Sequence, residues 1–77
     1  MKKQAIEVIA QVLDIPPERL NEESSPETIE EWDSVKQMNI VLALEEAFGL
    51  TFKSRQVMRL HNLGDIFKAL EELGAGT

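Results

Sequence analysis

The 77 residues contain no cysteine and a single histidine. Disulfides, thiolate zinc sites and a thiol nucleophile of the chain's own are therefore excluded, and any thiol chemistry would have to arrive on a cofactor. Aromatic residues are few: three Phe, one Trp and no Tyr. No apolar run approaches the ~20 residues that a membrane span requires. The opening Met1-Lys2-Lys3-Gln4 turns amphipathic too soon for a signal peptide, so the cytoplasm is the expected compartment. Basic residues are also scarce, eight against fourteen acids, for a net charge of −6. A nucleic-acid partner is not expected, because neutralising phosphates takes clustered Lys and Arg.

What charge there is lies unevenly. Residues 15–33 hold seven acids (Glu18, Glu22, Glu23, Glu27, Glu30, Glu31, Asp33) against Arg19 alone. Residues 50–62 hold Lys53, Arg55 and Arg59 and no acid. One end of the molecule should attract basic partners and a smaller patch should not. The length allows one domain, residues 1–77, and a helical fold with short connections suits so small a core.

Apolar periodicity predicts a first helix over 3–13, with Ala5, Ile6, Ile9, Val12 and Leu13 on one face and Val8 widening it. Ile15-Pro16-Pro17 should end it, since a residue before proline is pushed out of the helical region. Residues 16–33 then read as a long connection, with room for a short turn at Pro17–Leu20. A structureless loop of that length is unusual in a small domain and hints at function. The plain alternative is a loop pinned by Ile15, Leu20 and Ile29. A second helix spans 34–48, with Asp33 as N-cap and Gly49 as its stop. A short third helix covers Ser54 to Met58. Asn62 caps a fourth, with Asp65 completing a capping-box spacing and Leu63, Ile66, Phe67, Leu70 and Leu73 facing inward. Gly74 ends it, and Ala75-Gly76-Thr77 should fray.

The second helix carries two apolar stripes. Ile40, Val41, Leu44, Ala47 and Phe48 make a core face. Val35, Met38 and Leu42 make another, rotated well away, with Glu45 and Glu46 beside it and Ser34 at its N-terminal end. A surface helix needs one such stripe. Either a small bundle wraps this helix on both sides, or the second stripe is a docking face with an acidic rim.

An Asp-Ser pair such as Asp33-Ser34 is by itself an ordinary helix start. Yet Glu31-Trp32-Asp33-Ser34-Val35, followed by Met38, Leu42, Leu44, Glu45, Glu46 and Phe48, resembles the acyl carrier protein family, whose second helix begins with Asp-Ser-Leu. Val35 replaces that Leu. The resemblance covers nearly the whole chain, down to Asn62-Leu63-Gly64-Asp65 at the start of the last helix. It implies an all-α four-helix bundle with a long first loop and a short third helix. It implies that a phosphopantetheinyl transferase attaches 4'-phosphopantetheine from coenzyme A to Ser34, with Asp33 aiding recognition. The arm would carry an acyl or related group as a thioester between acyl-loading and acyl-accepting enzymes. Val35, Met38 and Leu42 would rest against those partners and Glu45 and Glu46 would pair with their cations. The inner face of the second helix, with Ile6, Ile9, Phe67 and Leu70, would open to shelter an acyl chain.

The physical chemistry agrees with a substrate role for Ser34. A serine hydroxyl is a weak nucleophile without an adjacent base, and His61 is far along the sequence. A phosphodiester at a helix N-terminus meets free amides and a favourable dipole. The chain also departs from the family. Carriers of ordinary fatty-acid synthesis have acids two and five residues after the serine and an acidic third helix. Here those places hold Lys36 and Asn39, and the third-helix region holds Lys53, Arg55 and Arg59. A dedicated, monomeric carrier for a specialised pathway (natural product, modified lipid or activated amino acid) is therefore the expectation. Trp32 should act as a hydrophobic staple on Met38 or nearby, or brace the arm or the transferase.

Other functions are poorer fits. The alternative that survives is an unmodified helical interaction module using the second helix. An enzyme is not expected, since there is no paired buried acid, triad or phosphate-binding glycine loop. A metal is not expected either, because the acids of 22–33 lack the spacing and central glycine of a calcium loop.

Overall fold

A computed structural model of the chain describes residues 1–74. Its elements are α1 Lys2–Leu13, a 3-10 turn Pro17–Arg19, α2 Ser34–Phe48, α3 Ser54–Val57 and α4 Leu63–Glu72. No strand occurs among the described residues. The all-α plan, the long first connection and the short third helix are those the sequence predicts. The tail Ala75-Gly76-Thr77, expected to fray, lies outside the described residues.

α1 packs chiefly on α2. Ala5, Ile9, Ala10 and Leu13 are its buried residues, at the three- and four-residue spacing that lines one helical face. Ile6, Val8 and Val12 are only half-buried at the edges of that face, and Ala10, which the sequence reading left out, is wholly inside. The helix stops one residue earlier than its prolines require. Asp14 adopts the left-handed conformation (φ 56°, ψ 48°) and donates its N–H to the carbonyls of Ala10 and Gln11. Ile15 N–H returns to the Ala10 carbonyl at 3.0 Å. A left-handed residue closing the last carbonyls is the usual helix stop, though normally a glycine fills it.

The connection from 16 to 33 is the pinned loop of the two alternatives, not a structureless one. Ile15, Leu20, Ile29 and Trp32 are all buried along it. Between these anchors short polar side chains satisfy the backbone. Asn21 N–H donates to Ser24 Oγ at 2.8 Å, and Ser25 N–H to Thr28 Oγ1 at 3.0 Å. Such local bonds replace the ladder that a helix would provide. Arg19 grips both oxygens of Glu31, at 2.8 and 3.1 Å, and holds that carboxyl below its ordinary range, chiefly by hydrogen bonding. The connection also caps α4. Leu63 N–H and Gly64 N–H donate to the carbonyls of Ser24 and Glu22 at 2.8 and 2.9 Å. A Cβ on Gly64 would stand 3.3 Å from the Glu22 carbonyl oxygen, so the missing side chain admits this approach.

While Met38 is 52 % exposed, Trp32 is a core residue, 1 % exposed. Its Nε1–H donates to Gln37 Oε1 at 2.7 Å. The Gln37 amide nitrogen donates onward to the Leu60 carbonyl at 3.4 Å. One buried ring thus ties the first connection to α2, and α2 to the segment before α4. A buried indole N–H needs such an acceptor, and the neighbouring turn of α2 supplies it.

α2 buries Ile40, Val41 and Leu44. Ala47, assigned by spacing to the same face, is exposed, and Phe48 is half-buried. Gly49 stops the helix at φ 64°, as expected. α3 is one residue shorter than predicted, with Met58 as its cap. At α4, Asn62 accepts from Asp65 N–H at 2.8 Å, but Asp65 accepts from His61 N–H at 3.1 Å rather than from Asn62. The reciprocal half of the capping box is therefore displaced by one residue. Leu63, Ile66, Phe67, Ala69 and Leu70 are buried, and Leu73 is half-buried at the end.

Candidate functional site

Ser34 is the first residue of α2. Asp33, in extended conformation, caps the helix by accepting Lys36 N–H on Oδ1 at 2.8 Å. Its carbonyl takes Gln37 N–H at 2.9 Å. The first satisfies one of the four orphan donors of a helix start, and the second is the first bond of the helix ladder. The amides of Ser34 and Val35 are left with no partner among the described residues, and so is the Ser34 hydroxyl. Ser34 is exposed. A free hydroxyl beside two free amides, at the positive end of a fifteen-residue helix, is suited to carrying an anionic ester.

An open groove of about 390 Å³ lies beside it, with Pro26, Asp33, Gln37, Val57, Leu60 and His61 among its walls. The groove joins the first connection, α2 and the α3–α4 link, which the Trp32–Gln37–Leu60 bonds hold together. Sequence reading missed Gln37 and His61 here. Gln37 is three residues after Ser34 and so shares its helix face, a signal available from spacing alone. His61 comes close only through the tertiary fold. It does not activate the serine, because the Ser34 hydroxyl makes no hydrogen bond among the described residues.

The second stripe of α2 is open. Val35, Met38 and Leu42 are 68 %, 52 % and 59 % exposed. The bundle does not wrap both sides of the helix, and the two possibilities left by periodicity separate here. Glu46 is exposed at its edge. Glu45 is half-buried, and its Oε2 accepts Phe52 N–H at 2.8 Å, so one carboxylate oxygen serves the fold. Lys36, which stands where an acid was anticipated, turns toward α1 and brings Nζ to 3.4 Å from the Val12 carbonyl. A cation at the C-terminal end of a helix meets its dipole favourably, and this gives the departure a structural cause. Ile9, Phe67 and Leu70, expected to part around an acyl chain, are 0 %, 3 % and 0 % exposed. Shelter there would require the packed core to open.

The description of a phosphopantetheine attachment site matches residues 3–70. The fold is similar to the solution structure of a holo acyl carrier protein from Geobacter metallireducens, at 27 % identity and a TM-score of 0.86, over 96 % of this chain and 85 % of that one. The chain belongs to the acyl carrier protein family. No curated protein matches it. Its cofactor is a covalently attached phosphopantetheine. The residues present fit such a group: the start of α2 offers an accessible hydroxyl, unpaired amides and an adjacent groove. The carrier has no helix long and apolar enough to cross a membrane among its described residues.

Proposed function

We infer that Ser34 is the attachment point, and that the chain carries an acyl or related group for partner enzymes of a specialised pathway. The observation that carries this reading is the Ser34 hydroxyl, exposed and unpartnered at the N-terminus of α2 among the described residues. The arm supplies the terminal thiol that this cysteine-free chain lacks, and the cargo rides on it as a thioester. The chain's own residues do the positioning. α2 presents the hydroxyl, and the free amides of Ser34 and Val35 face the negative charge that attachment brings. Asp33 holds the helix start in shape through Lys36 N–H. Attachment forms an Oγ–phosphorus bond while the pyrophosphate bond of coenzyme A breaks and adenosine 3',5'-bisphosphate leaves. The Oγ–H proton must leave too, and no base of the chain bonds Oγ among the described residues. A base from the transferase fits this arrangement, and so does a chain that serves as its substrate.

Val35, Met38 and Leu42 are the apolar contact for partners, with Glu46 and the free oxygen of Glu45 at the rim. Weak, salt-sensitive contacts suit a carrier that must leave each enzyme after use. A monomer in the cytoplasm fits that role. The test is intact-protein mass after incubation with coenzyme A, magnesium and a broad-specificity phosphopantetheinyl transferase. Wild type should gain one phosphopantetheine. Ser34→Ala should gain none while keeping its helical circular dichroism, because Asp33 still caps α2 and the change costs about 1 kcal/mol or less. A folded wild type left unmodified by two unrelated transferases would turn the reading to the unmodified interaction module.

A further inference from the structure

Four of the eight basic residues of this acidic chain border one groove. Lys53, Arg55, Arg59 and Lys68 line a cavity of about 480 Å³ between α3 and α4. All four are exposed, and none forms an ion pair among the described residues. Two carboxylates, Asp65 and Glu72, share the groove and brace its walls, and the four cations leave it net positive. Asp65 accepts His61 N–H at 3.1 Å, and Glu72 accepts from Gln56 Nε2 at 3.1 Å. Gln56 is 9 % exposed, and its Oε1 accepts Lys53 N–H at 2.9 Å, so this wall is held from inside. The fold makes no use of the four cations, and gathering them adds mutual repulsion.

We propose that the groove between α3 and α4 docks an acidic protein segment of a partner enzyme. The proposal deepens the carrier reading and rests on it. A protein segment suits the surroundings better than a polyanion. The patch is small, and the rest of the chain would repel a long run of phosphates, whereas a protein can place its acids opposite the patch alone. Met58, 78 % exposed at the C-terminal cap of α3, adds an apolar contact of the kind protein interfaces combine with charge. Leu60, in the link between α3 and α4, lines both this groove and the one beside Ser34, so that link is their common wall. A partner seated on the cations has the arm's exit alongside. Enzymes that grip carriers through basic patches would meet repulsion here, and this separates the chain's partners from those of carriers with an acidic third helix.

The probe is a short synthetic amphipathic helix with Glu on one face and Leu on the other, titrated into the full-length, 15N-labelled chain. The same peptide with Gln for Glu, and tripolyphosphate, serve as comparisons. The acidic peptide should shift amides between Lys53 and Lys68, lose affinity with added salt, and bind Arg55→Glu/Arg59→Glu ~10-fold or more weakly. If that variant loses its helical signal, Arg55→Gln/Arg59→Gln replaces it, with a smaller loss expected. Equal binding of the Gln peptide, shifts that map elsewhere, unchanged affinity in the variant, or binding of tripolyphosphate alone would each overturn the proposal. Attachment to Ser34 is scored on separate wild-type samples. A failure there removes the carrier reading and leaves the peptide result standing as a property of the groove.

Discussion

α2 carries two apolar faces that fate has divided. Ile40, Val41 and Leu44 are at most 4 % exposed, while Val35, Met38 and Leu42 are more than half exposed. The residue types are nearly the same on both sides. Folding has used one face because α1 covers it, and has left the other to water. A single exposed aliphatic residue needs no explanation, but three in helical register beside a free hydroxyl form a surface. One helix thus holds the fold together with one side and leaves the other open.

The largest expected effect breaks the buried side. Leu44 is 0 % exposed, and Leu44→Ala should cost about 3 kcal/mol through lost burial and the cavity left behind. A domain of this length has roughly 4–12 kcal/mol in total, so the loss should be plain in urea or thermal unfolding. A second change sharpens where both faces end. Gly49 stops α2 at φ 64°, and an added Cβ there would meet nothing within 4 Å. Gly49→Ala should therefore cost about 1 kcal/mol from backbone strain alone, and Gly49→Asn less. A loss much above this in chemical denaturation would mean that side-chain crowding, not the left-handed turn, sets the requirement.

The buried face was legible because burial imposes a period, and α1, α2 and α4 follow it. The start of α2 at Ser34 was legible because Asp33 is a local cap. Three features were less legible, each for a physical reason. The connection from 16 to 33 looks like loop because its order comes from Ser24, Ser25 and Thr28 bonding the backbone, which leaves no apolar period. The position of Trp32 before the N-cap predicts a local contact with the start of α2, which its N–H makes with Gln37, but not the depth of its ring in the core. His61 reaches the Ser34 groove only because α4 and the first connection are tied through Leu63 and Gly64. Neither the depth of the ring nor the place of His61 has a signature within a single element.

A third change probes the border between the two faces. Lys36 is half-buried and lies at the end of α1, near the Val12 carbonyl. Lys36→Glu would put a negative charge against the negative end of that helix. It should cost about 0.5 kcal/mol, less at high salt, with Lys36→Gln in between. A stabilising Lys36→Glu would show that the contact with α1 is incidental and that position 36 belongs to the open surface.

The smallest expected effect on stability carries the most weight for function. Leu42 is 59 % exposed, so Leu42→Gln removes little buried area and should change stability by less than about 0.5 kcal/mol. The same change removes an apolar contact from the middle of the open stripe. In transferase-catalysed attachment to Ser34, KM should rise ~3- to 10-fold with kcat nearly unchanged, because the stripe holds the partner without touching the reacting atoms. The contrast with Leu44→Ala is the point of the pair: two leucines two residues apart on one helix, one buried and expected to matter for folding, the other exposed and expected to matter for docking. Were Leu42→Gln to lower the melting temperature as Leu44→Ala does, the stripe would be part of the fold's support. An unchanged KM in a fully stable variant would place the partner on another surface, of which the basic groove at α3 is the first to examine.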